Sequence, residues 1–339
     1  MNGLPWKCPL CLGTLEPGPT SWRCLSCERI SRALRGIPDL RTSEDIYLSN
    51  QADWDFAQKL DDAYDRLDFR GLLDLYFELS PEISPRQRRS QIDHILSAPG
   101  RVRGWLDAIG PVKAGRLLDL GCGSGSFLAA IGPEKTEVFG VDIAMRWLIL
   151  ARKRLEEEGF GLIPLACACA ERLPVAPESL SNVIAGDVFE HVGDQRATLF
   201  EAFRVLKPGG RLFLASPNRF SIALEPHVGV WGVGYLPRRW MPAYVRIISR
   251  LDFRGIHTLS YAGWSSMLRA SPFQGGRITV PPLPESDFTH FGPVKRRAAR
   301  LYNRLVTSRP GQSVARGIGP LFHVVCERQA QRSHPTDPS

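Results

Sequence analysis

The fold is decided by residues 116–127, which read Arg116-Leu117-Leu118-Asp119-Leu120-Gly121-Cys122-Gly123-Ser124-Gly125-Ser126-Phe127. The apolar run that opens this stretch predicts a short buried strand, and the apolar residues that follow it predict the start of a helix. Between the two, glycines stand at positions 121, 123 and 125. Glycine lets a backbone approach a ligand closely, and a helix N-terminus offers free N–H groups. The stretch therefore predicts a nucleotide cradle.

Two acidic residues around this glycine turn narrow the prediction. Asp119 stands two residues before the first glycine, and a second strand-like run, residues 137–142, ends in Asp142. A carboxylate at the end of that second strand can accept hydrogen bonds from both hydroxyls of a ribose. The spacing is Gly-x-Gly-x-Gly rather than the dinucleotide pattern Gly-x-Gly-x-x-Gly. Another Rossmann-type nucleotide binder stays open as the alternative.

The glycine turn and the acid after it resemble a known family. Residues 118–125, followed by Val141 and Asp142, are similar to the first two motifs of the class I S-adenosylmethionine-dependent methyltransferases of type 11. The resemblance continues through residues 169–175, the run 183–192 and the join Lys207-Pro208-Gly209-Gly210 to about residue 217. It implies an α/β fold with a Rossmann-like seven-stranded sheet, helices on both faces and a final antiparallel strand at 319–328.

The resemblance also implies the cofactor, S-adenosyl-L-methionine, and its contacts. Asp119 and the glycine turn would hold the methionine part, and Asp142 would hold the ribose. Cys169 occupies the place at which many relatives carry Asp, so the adenine would meet the backbone N–H of Ala170. The implied cofactor-binding set is Asp119, Gly121, Cys122, Gly123, Gly125, Asp142, Ile143, Ala170, Glu171, Asp187 and Val188, with the last two on the methyl-transfer face.

Two histidines are candidate catalytic bases. His191 follows the fourth predicted strand, and His227 lies in the polar loop after the fifth. A histidine of near-neutral pKa can take a proton from a hydroxyl or amine nucleophile. The alternatives are that both histidines are structural and that positioning suffices, because the sulfonium is already a reactive electrophile. That loop leaves the sheet edge where α/β proteins bind ligands, so Asn218, Arg219 and His227 are the candidate substrate contacts.

The N-terminal cysteines predict a structural zinc site. Two Cys-x-x-Cys turns with twelve residues between them bring four thiolates together: Cys8, Cys11, Cys24 and Cys27. Four protein ligands leave a zinc ion no open position, so its role is structural rather than catalytic. Four free cysteines are the alternative. The segment resembles the zinc ribbons that precede or partner some methyltransferases, including rRNA guanine methyltransferases, in which the fourth ligand tends to be histidine.

The predicted organisation has four parts. Residues 1–41 form the zinc ribbon, 42–111 a helical linker or cap, 112–328 the catalytic domain, and 329–339 a disordered polar tail. Within the catalytic domain, residues 217–270 form a lid or substrate insertion. In the helical region, Tyr64 and Tyr76 are either pocket aromatics or core residues.

Composition bounds the partners and the location. The 339 residues are 43% hydrophobic and 23% charged, which is ordinary for a globular protein. No apolar run approaches the about 18 residues of a membrane span, and no signal peptide is visible, so the expected location is cytoplasmic. The net charge of +8 permits an anionic partner such as RNA. Peripheral membrane contact through the basic, aromatic segment 236–251 is a further alternative.

Three functions follow from these patterns. The leading one is methyl transfer from S-adenosyl-L-methionine to a small-molecule O, N or C nucleophile of a biosynthetic, natural-product or polysaccharide type. The second is an rRNA or tRNA methyltransferase that binds RNA through the ribbon, although the ribbon lacks a dense basic and aromatic stripe. The third is a non-catalytic scaffold that binds the cofactor, against which the intact glycine turn and both acids argue.

Overall fold

The computed structural model describes residues 5–80, 85–109, 112–132, 136–161, 163–283 and 292–329. At the N-terminus, four short strands form one antiparallel sheet in sequence order: β1 (Leu15–Pro17), β2 (Ser21–Cys24), β3 (Ile30–Leu34) and β4 (Ile37–Pro38). The Cys-x-x-Cys turns flank β1 and β2, as a ribbon requires. Of the predicted disordered tail, residues 330–339 lie outside the described part of the chain.

Three helices occupy the region between the ribbon and the main sheet: α1 (Asn50–Ala63), α2 (Phe69–Glu78) and α3 (Pro85–Ile109). The first two begin at side-chain caps, because Ser49 and Asp68 each accept a hydrogen bond from a backbone N–H three residues later. Tyr64 and Tyr76 are core residues rather than pocket aromatics. The Tyr64 hydroxyl donates to Glu156, and Tyr76 packs edge-on against the buried ring of Phe77.

The central sheet has seven strands: β5 (Gly115–Leu120), β6 (Thr136–Asp142), β7 (Leu165–Cys167), β8 (Leu180–Gly186), β9 (Leu206–Pro217), β10 (Arg277–Thr279) and β11 (Leu321–Glu327). Their order is β10-β11-β9-β8-β5-β6-β7. The five strands from β5 to β9 are parallel, and β11 runs antiparallel to both β9 and β10. The predicted Rossmann-like sheet with an antiparallel final strand is confirmed.

The remaining helices are α4 (Ser126–Ile131), α5 (Met145–Glu157), α6 (Gln195–Val205), α7 (Met241–Ser249), α8 (Tyr261–Arg269), α9 (Pro293–Val306) and α10 (Arg309–Ile318). Both faces of the sheet are covered, so its parallel strands are apolar on both sides. Leu117 packs toward the core shared with α1, α2 and α5. Leu118 and Leu120 pack toward the core shared with α6 and α8.

The insertion after β9 carries a small apolar core of its own, built from Val228, Val230, Val233, Met241, Val245, Phe253 and Ile256. The basic, aromatic segment 236–251 is helical over only part of its length. A 3-10 turn, Arg238–Trp240, leads into α7, which ends at Arg250 in a left-handed conformation. Among the described helices, none combines the length and apolar character needed to cross a membrane.

Candidate functional site

A cavity of about 490 Å³ opens at the carboxyl ends of β5, β6 and β8. Its walls come from five segments within residues 43–47, 120–123, 141–147, 168–171 and 187–193. Four of these are the loops that follow strands of one parallel sheet, where ligands of such folds bind. The fifth, residues 43–47, arrives from the N-terminal region and is called the strap below. The volume suits a small molecule of nucleoside size.

The glycine turn after β5 needs glycine for two different reasons. Gly121, Gly123 and Gly125 all have left-handed backbones, with φ of +72°, +49° and +77°. At Gly121, a Cβ would lie 2.2 Å from Cγ2 of Val188, so the turn and the loop after β8 touch directly. At Gly123, a Cβ would meet no atom within 4 Å, because this residue faces the cavity. Gly125 starts α4, and with Cys122 it lies behind the cavity wall.

Asp142 joins the glycine turn to the turn after β6. Its Oδ2 accepts a hydrogen bond from the N–H of Gly123 and its Oδ1 accepts one from the N–H of Ala144, both at 2.8 Å. Burial raises the pKa of this carboxyl to about 6, although the two N–H donors oppose the rise. Ile143 and Ala144 line the cavity beside it.

Asp119 lies beneath the turn, 1% exposed and outside the cavity wall. Its Oδ2 is buried and has no hydrogen-bond partner among the described residues. Burial, and then the charge of Asp142, raise the pKa of Asp119 to about 8. A buried oxygen without a donor is costly, so this position fits a ligand that brings a donor of its own.

The loop after β7 contributes Ala170 and Glu171 to the cavity. The Glu171 carboxylate accepts hydrogen bonds from the N–H groups of Gly193 and Asp194, at 2.8 and 3.2 Å. It therefore ties two cavity loops together. Asp187 and Val188 line the opposite side, and Asp187 has a left-handed backbone with φ of +55°, a strained conformation that is concentrated at functional sites.

The structure brings His191 and His227 together in a hydrogen-bonded chain. Their Nε2 atoms lie 3.0 Å apart. His191 Nδ1 is 2.6 Å from the hydroxyl of Tyr47, which lies on the strap, and His227 Nδ1 is 2.6 Å from Oε1 of Glu225. Burial lowers the pKa of His191 to about 4. Burial also opposes protonation of His227, but Glu225 and neighbouring acids raise its pKa above the usual value. His191 lines the cavity, and His227 lies behind it.

Glu190 lies next to the two histidines and is fully buried. Its Oε2 accepts a hydrogen bond from the Ser216 hydroxyl at 2.9 Å, and its Oε1 has no hydrogen-bond partner within the described chain. Burial raises the pKa of Glu190 to about 8. Ligand atoms of Glu190, His191 and His227 all lie within 4.8 Å of one another. These residue types at this spacing can also hold a divalent cation.

Asn218 and Arg219 lie away from the cavity. Asn218 is buried, donates to the carbonyl of Gly319 at 2.9 Å and accepts from the N–H of Phe220 at 3.1 Å. Arg219 donates to the carbonyls of residues 234 and 236. Both residues therefore hold the insertion against the sheet. Tyr47 and Arg146, which no local motif marks in the sequence, line the cavity.

The four N-terminal cysteines converge as their spacing predicts. Their Sγ atoms lie within 4.8 Å of one another, with Cys8 and Cys27 at 3.6 Å and Cys11 and Cys24 at 3.4 Å. Thiolates about 2.3 Å from a tetrahedral zinc ion lie about 3.8 Å apart, so the cluster fits that ion. The backbone N–H of Cys27 lowers the pKa of the Cys24 thiol to about 6, which favours the thiolate that a metal binds.

Comparison with known proteins adds the following similarities. Residues 118–214 match the family model described as a methyltransferase domain. The chain is 33% identical over 138 residues to a ubiquinone biosynthesis O-methyltransferase of Paracidovorax citrulli, covering 40% of this chain and 58% of that protein. It is 33% identical over 158 residues to the protein of the same name from Cereibacter sphaeroides, covering 45% of this chain and 58% of that protein. The chain thus spans a little over half the length of these curated relatives.

Among solved structures, Haemonchus contortus phosphoethanolamine N-methyltransferase 2 in complex with S-adenosyl-L-methionine aligns with a TM-score of 0.45 at 18% identity. The alignment covers 68% of this chain and 53% of that one.

Proposed function

We propose that this chain, whose residues 118–214 form a methyltransferase domain, transfers a methyl group from S-adenosyl-L-methionine to a small-molecule hydroxyl acceptor. The observation that carries the proposal is the cavity. The glycine turn, Asp142 at the end of β6 and His191 all line it. The glycine turn and Asp142 suit the cofactor. His191 lies on the same cavity, where a second substrate would meet the methyl group.

The residues present fit the cofactor at both of its polar ends. Asp119 Oδ2, buried without a donor, suits the ammonium group of a methionine moiety. Asp142 suits the ribose hydroxyls, and the backbone N–H of Ala170 suits the adenine. When bound, S-adenosyl-L-methionine supplies the electrophilic methyl group. The work of the chain is then to hold the cofactor, to position the acceptor and to accept its proton.

His191 is the residue we assign to proton acceptance. Because burial lowers the pKa of His191 to about 4, its imidazole is neutral at physiological pH and able to accept a proton. A charge on His227 lowers the pKa of His191, so His227 assists only as the next proton acceptor. When Nδ1 of His191 takes the proton, its Nε2–H can pass one to neutral His227 Nε2 at 3.0 Å, and Glu225 stabilises the charge that His227 then carries. An acceptor hydroxyl that reaches His191 Nδ1 competes there with the hydroxyl of Tyr47. The first curated relatives are O-methyltransferases, which supports a hydroxyl acceptor.

The ribbon is proposed to hold zinc as a structural ion, and RNA recognition is not favoured. Trp6 and Trp22, the aromatic residues that an RNA-binding ribbon would expose, are each 3% exposed and packed inward. Stacking on bases needs an accessible ring face. The ribbon also packs against the catalytic domain, where Lys7 N–H donates to the carbonyl of Pro174 and Arg172 donates to ribbon carbonyls.

The test begins with calorimetric titration of the full chain with S-adenosyl-L-methionine and with its product S-adenosylhomocysteine. Micromolar binding that Asp142→Ala removes is the expected result, because this variant loses both bonds that shape the site. A folded wild-type protein that binds neither compound would refute the proposal.

Transfer is then measured with phenolic and catechol acceptors, with and without Zn²⁺, since one carboxylate and two imidazoles are ligands that suit this ion. His191→Asn should abolish transfer and keep cofactor binding. Transfer at the wild-type rate in this variant would remove His191 from the mechanism.

A further inference from the structure

The ribbon is joined to the edge of the seven-stranded sheet by strand pairing. Directly after β4, Asp39 pairs in parallel with Cys167, and the N–H of Leu40 donates to the carbonyl of Cys167 at 2.7 Å. Residues 39 and 40 therefore cover the free edge of β7. On the other side of the ribbon, Trp6 forms a bridge to Val175 and packs edge-on against the ring of Phe139 in β6. The ribbon is thus held at two places on the catalytic domain.

Arg41 follows this added strand and reaches into the wall of the cavity. Its side chain is 1% exposed and forms two parallel hydrogen bonds with Asp39, at 2.9 and 2.7 Å. Its Nη1 donates to Asp53 at 2.8 Å and to the carbonyl of Ile143 at 3.2 Å. Ile143 belongs to the turn between β6 and α5, beside Asp142. Arg41 therefore anchors that turn from outside the sheet.

Asp53 anchors the same turn from its helical side. It is fully buried, and its Oδ2 accepts the N–H of Met145, the first residue of α5, at 2.8 Å. A carboxylate at this place satisfies an N–H that has no partner within the helix and interacts favourably with the helix dipole. Asp53, which accepts a hydrogen bond from Arg41, replaces the side-chain cap that Ala144 cannot provide.

The strap that follows Arg41 forms the outer wall of the cavity. Residues 43–47 all line it. Ser43 Oγ lies 3.2 Å from Sγ of Cys169, and the Tyr47 hydroxyl meets His191. Ile46 and Tyr47 are 50% and 52% exposed, whereas Asp45 is 8% exposed, so the strap is buried only in part. The strap is held at its start by the contacts of Arg41 and at its end by the hydrogen bond between Tyr47 and His191.

The cysteine site lies at the start of this path. Cys24 ends β2, which pairs with β3, and Cys27 stands two residues before Arg29. Arg29 Nη2 donates to the carbonyl of Arg41 at 2.8 Å. A continuous series of contacts therefore runs from the cysteine site through Arg29 and Arg41 to the turn that carries Asp142.

We propose that the ribbon is an intramolecular brace of the cofactor cavity, in which the cysteine site and the positioning residue Arg41 hold the strap and the β6–α5 turn in the conformation that binds the cofactor. The inference rests on the proposed function, because the ligand of the cavity is taken to be S-adenosyl-L-methionine. It assigns the ribbon a role within the molecule and requires no partner outside it.

The first experiment titrates S-adenosylhomocysteine into full-length wild type, Arg41→Met, Arg41→Lys and Arg35→Met. Arg35 is the control, because it also ties the ribbon to the helical region, through Asp61 in α1 and Asp65 just after it, but lies away from the cavity. Arg41→Met should raise Kd by about tenfold or more, the change that about 1.4 kcal/mol produces. Arg41→Lys should restore part of the affinity, and Arg35→Met should bind as wild type does. Equal affinity in Arg41→Met and Arg35→Met would overturn the proposal.

The second experiment removes the metal, which avoids the risk that Arg41→Met fails to fold. Metal extracted by a chelator, with its loss measured by atomic emission, should weaken S-adenosylhomocysteine binding and speed hydrogen exchange in residues 39–47, and added Zn²⁺ should reverse both changes. Unchanged binding after complete metal loss would overturn the brace while leaving the proposed function intact. A wild-type protein that binds no cofactor would overturn both.

Discussion

Replacing Gly123 by alanine should impair cofactor binding while the protein stays folded. Gly123 lines the cavity with φ of +49°, and a Cβ built on it meets no atom within 4 Å. The new methyl group therefore displaces no protein atom and enters space that the cofactor is proposed to use. The cost to the fold is limited to the left-handed backbone, about 1–2 kcal/mol for a residue with a Cβ.

Gly159→Ala supplies a control with the same backbone cost. Gly159 has φ of +82°, a Cβ there also meets nothing within 4 Å, and the residue lies after the end of α5, outside the cavity. Both variants should lower Tm by a few degrees, since about 1 kcal/mol shifts Tm by about 2–4 °C in a domain of 150–250 residues. Only Gly123→Ala should change the binding of ligand.

The assay pairs thermal unfolding with calorimetric titration of S-adenosylhomocysteine. For Gly123→Ala we expect Kd to rise at least about tenfold, which corresponds to about 1.4 kcal/mol of lost contact. If Gly123→Ala and Gly159→Ala bind the ligand equally well, the glycine turn is not the cofactor contact. If Gly123→Ala unfolds while Gly159→Ala does not, the space beside Gly123 is not open as the structure indicates.

Three further predictions concern neighbouring residues. Gly121→Ala would force a Cβ to within 2.2 Å of Val188 at a φ of +72°, so chemical denaturation should show a free energy of unfolding lower by about 3 kcal/mol. A decrease no greater than that of Gly159→Ala would contradict this. The raised pKa of Asp119, about 8, means that its contribution to stability is present below about pH 4 and is lost as the pH rises toward 8. Asp119→Asn should therefore gain Tm relative to wild type between about pH 5 and pH 8, and a pH-independent difference would count against the shift. Tyr47→Phe removes the hydroxyl at 2.6 Å from His191 Nδ1, which competes with the acceptor for that atom, so kcat/KM for the acceptor should rise several-fold, about 1 kcal/mol, with unchanged S-adenosylhomocysteine affinity. An unaltered or lower kcat/KM would show that the Tyr47 hydroxyl does not hold the acceptor's place.

The sheet was predictable because its signals are local. An apolar run, a glycine turn and a helical start lie within twelve residues, and the same strand–helix alternation recurs through residues 118–214. Parallel strands covered on both faces read as continuous apolar runs, so β5 and β8 stand out in the sequence. The cysteine cluster was predictable for the same reason, since each Cys-x-x-Cys turn places two ligands without help from the rest of the fold.

The substrate side of the site was not predictable in this way. Asn218 and Arg219 follow β9 at the expected sheet edge, yet their side chains bind backbone carbonyls of the insertion and of residue 319. Their direction depends on how a loop of some fifty residues packs, which no local pattern reports. Glu225 was unremarkable in the sequence, and its importance appears only when its contact with His227 is known.

By itself, the sequence determined which apolar runs form the parallel strands, the glycine turn with Asp119 and Asp142, and the four thiolates of the ribbon, because each depends on residues close together in the chain. Only the tertiary structure decided that the strap, which follows the ribbon, completes the cavity. Tyr47 meets His191 across 144 positions, and Arg41 meets the carbonyl of Ile143 across 102. These contacts between distant residues form because residues 39 and 40 pair with the edge of β7. They are stable only in the packed sheet, and neither the ribbon nor the catalytic segment would form them alone.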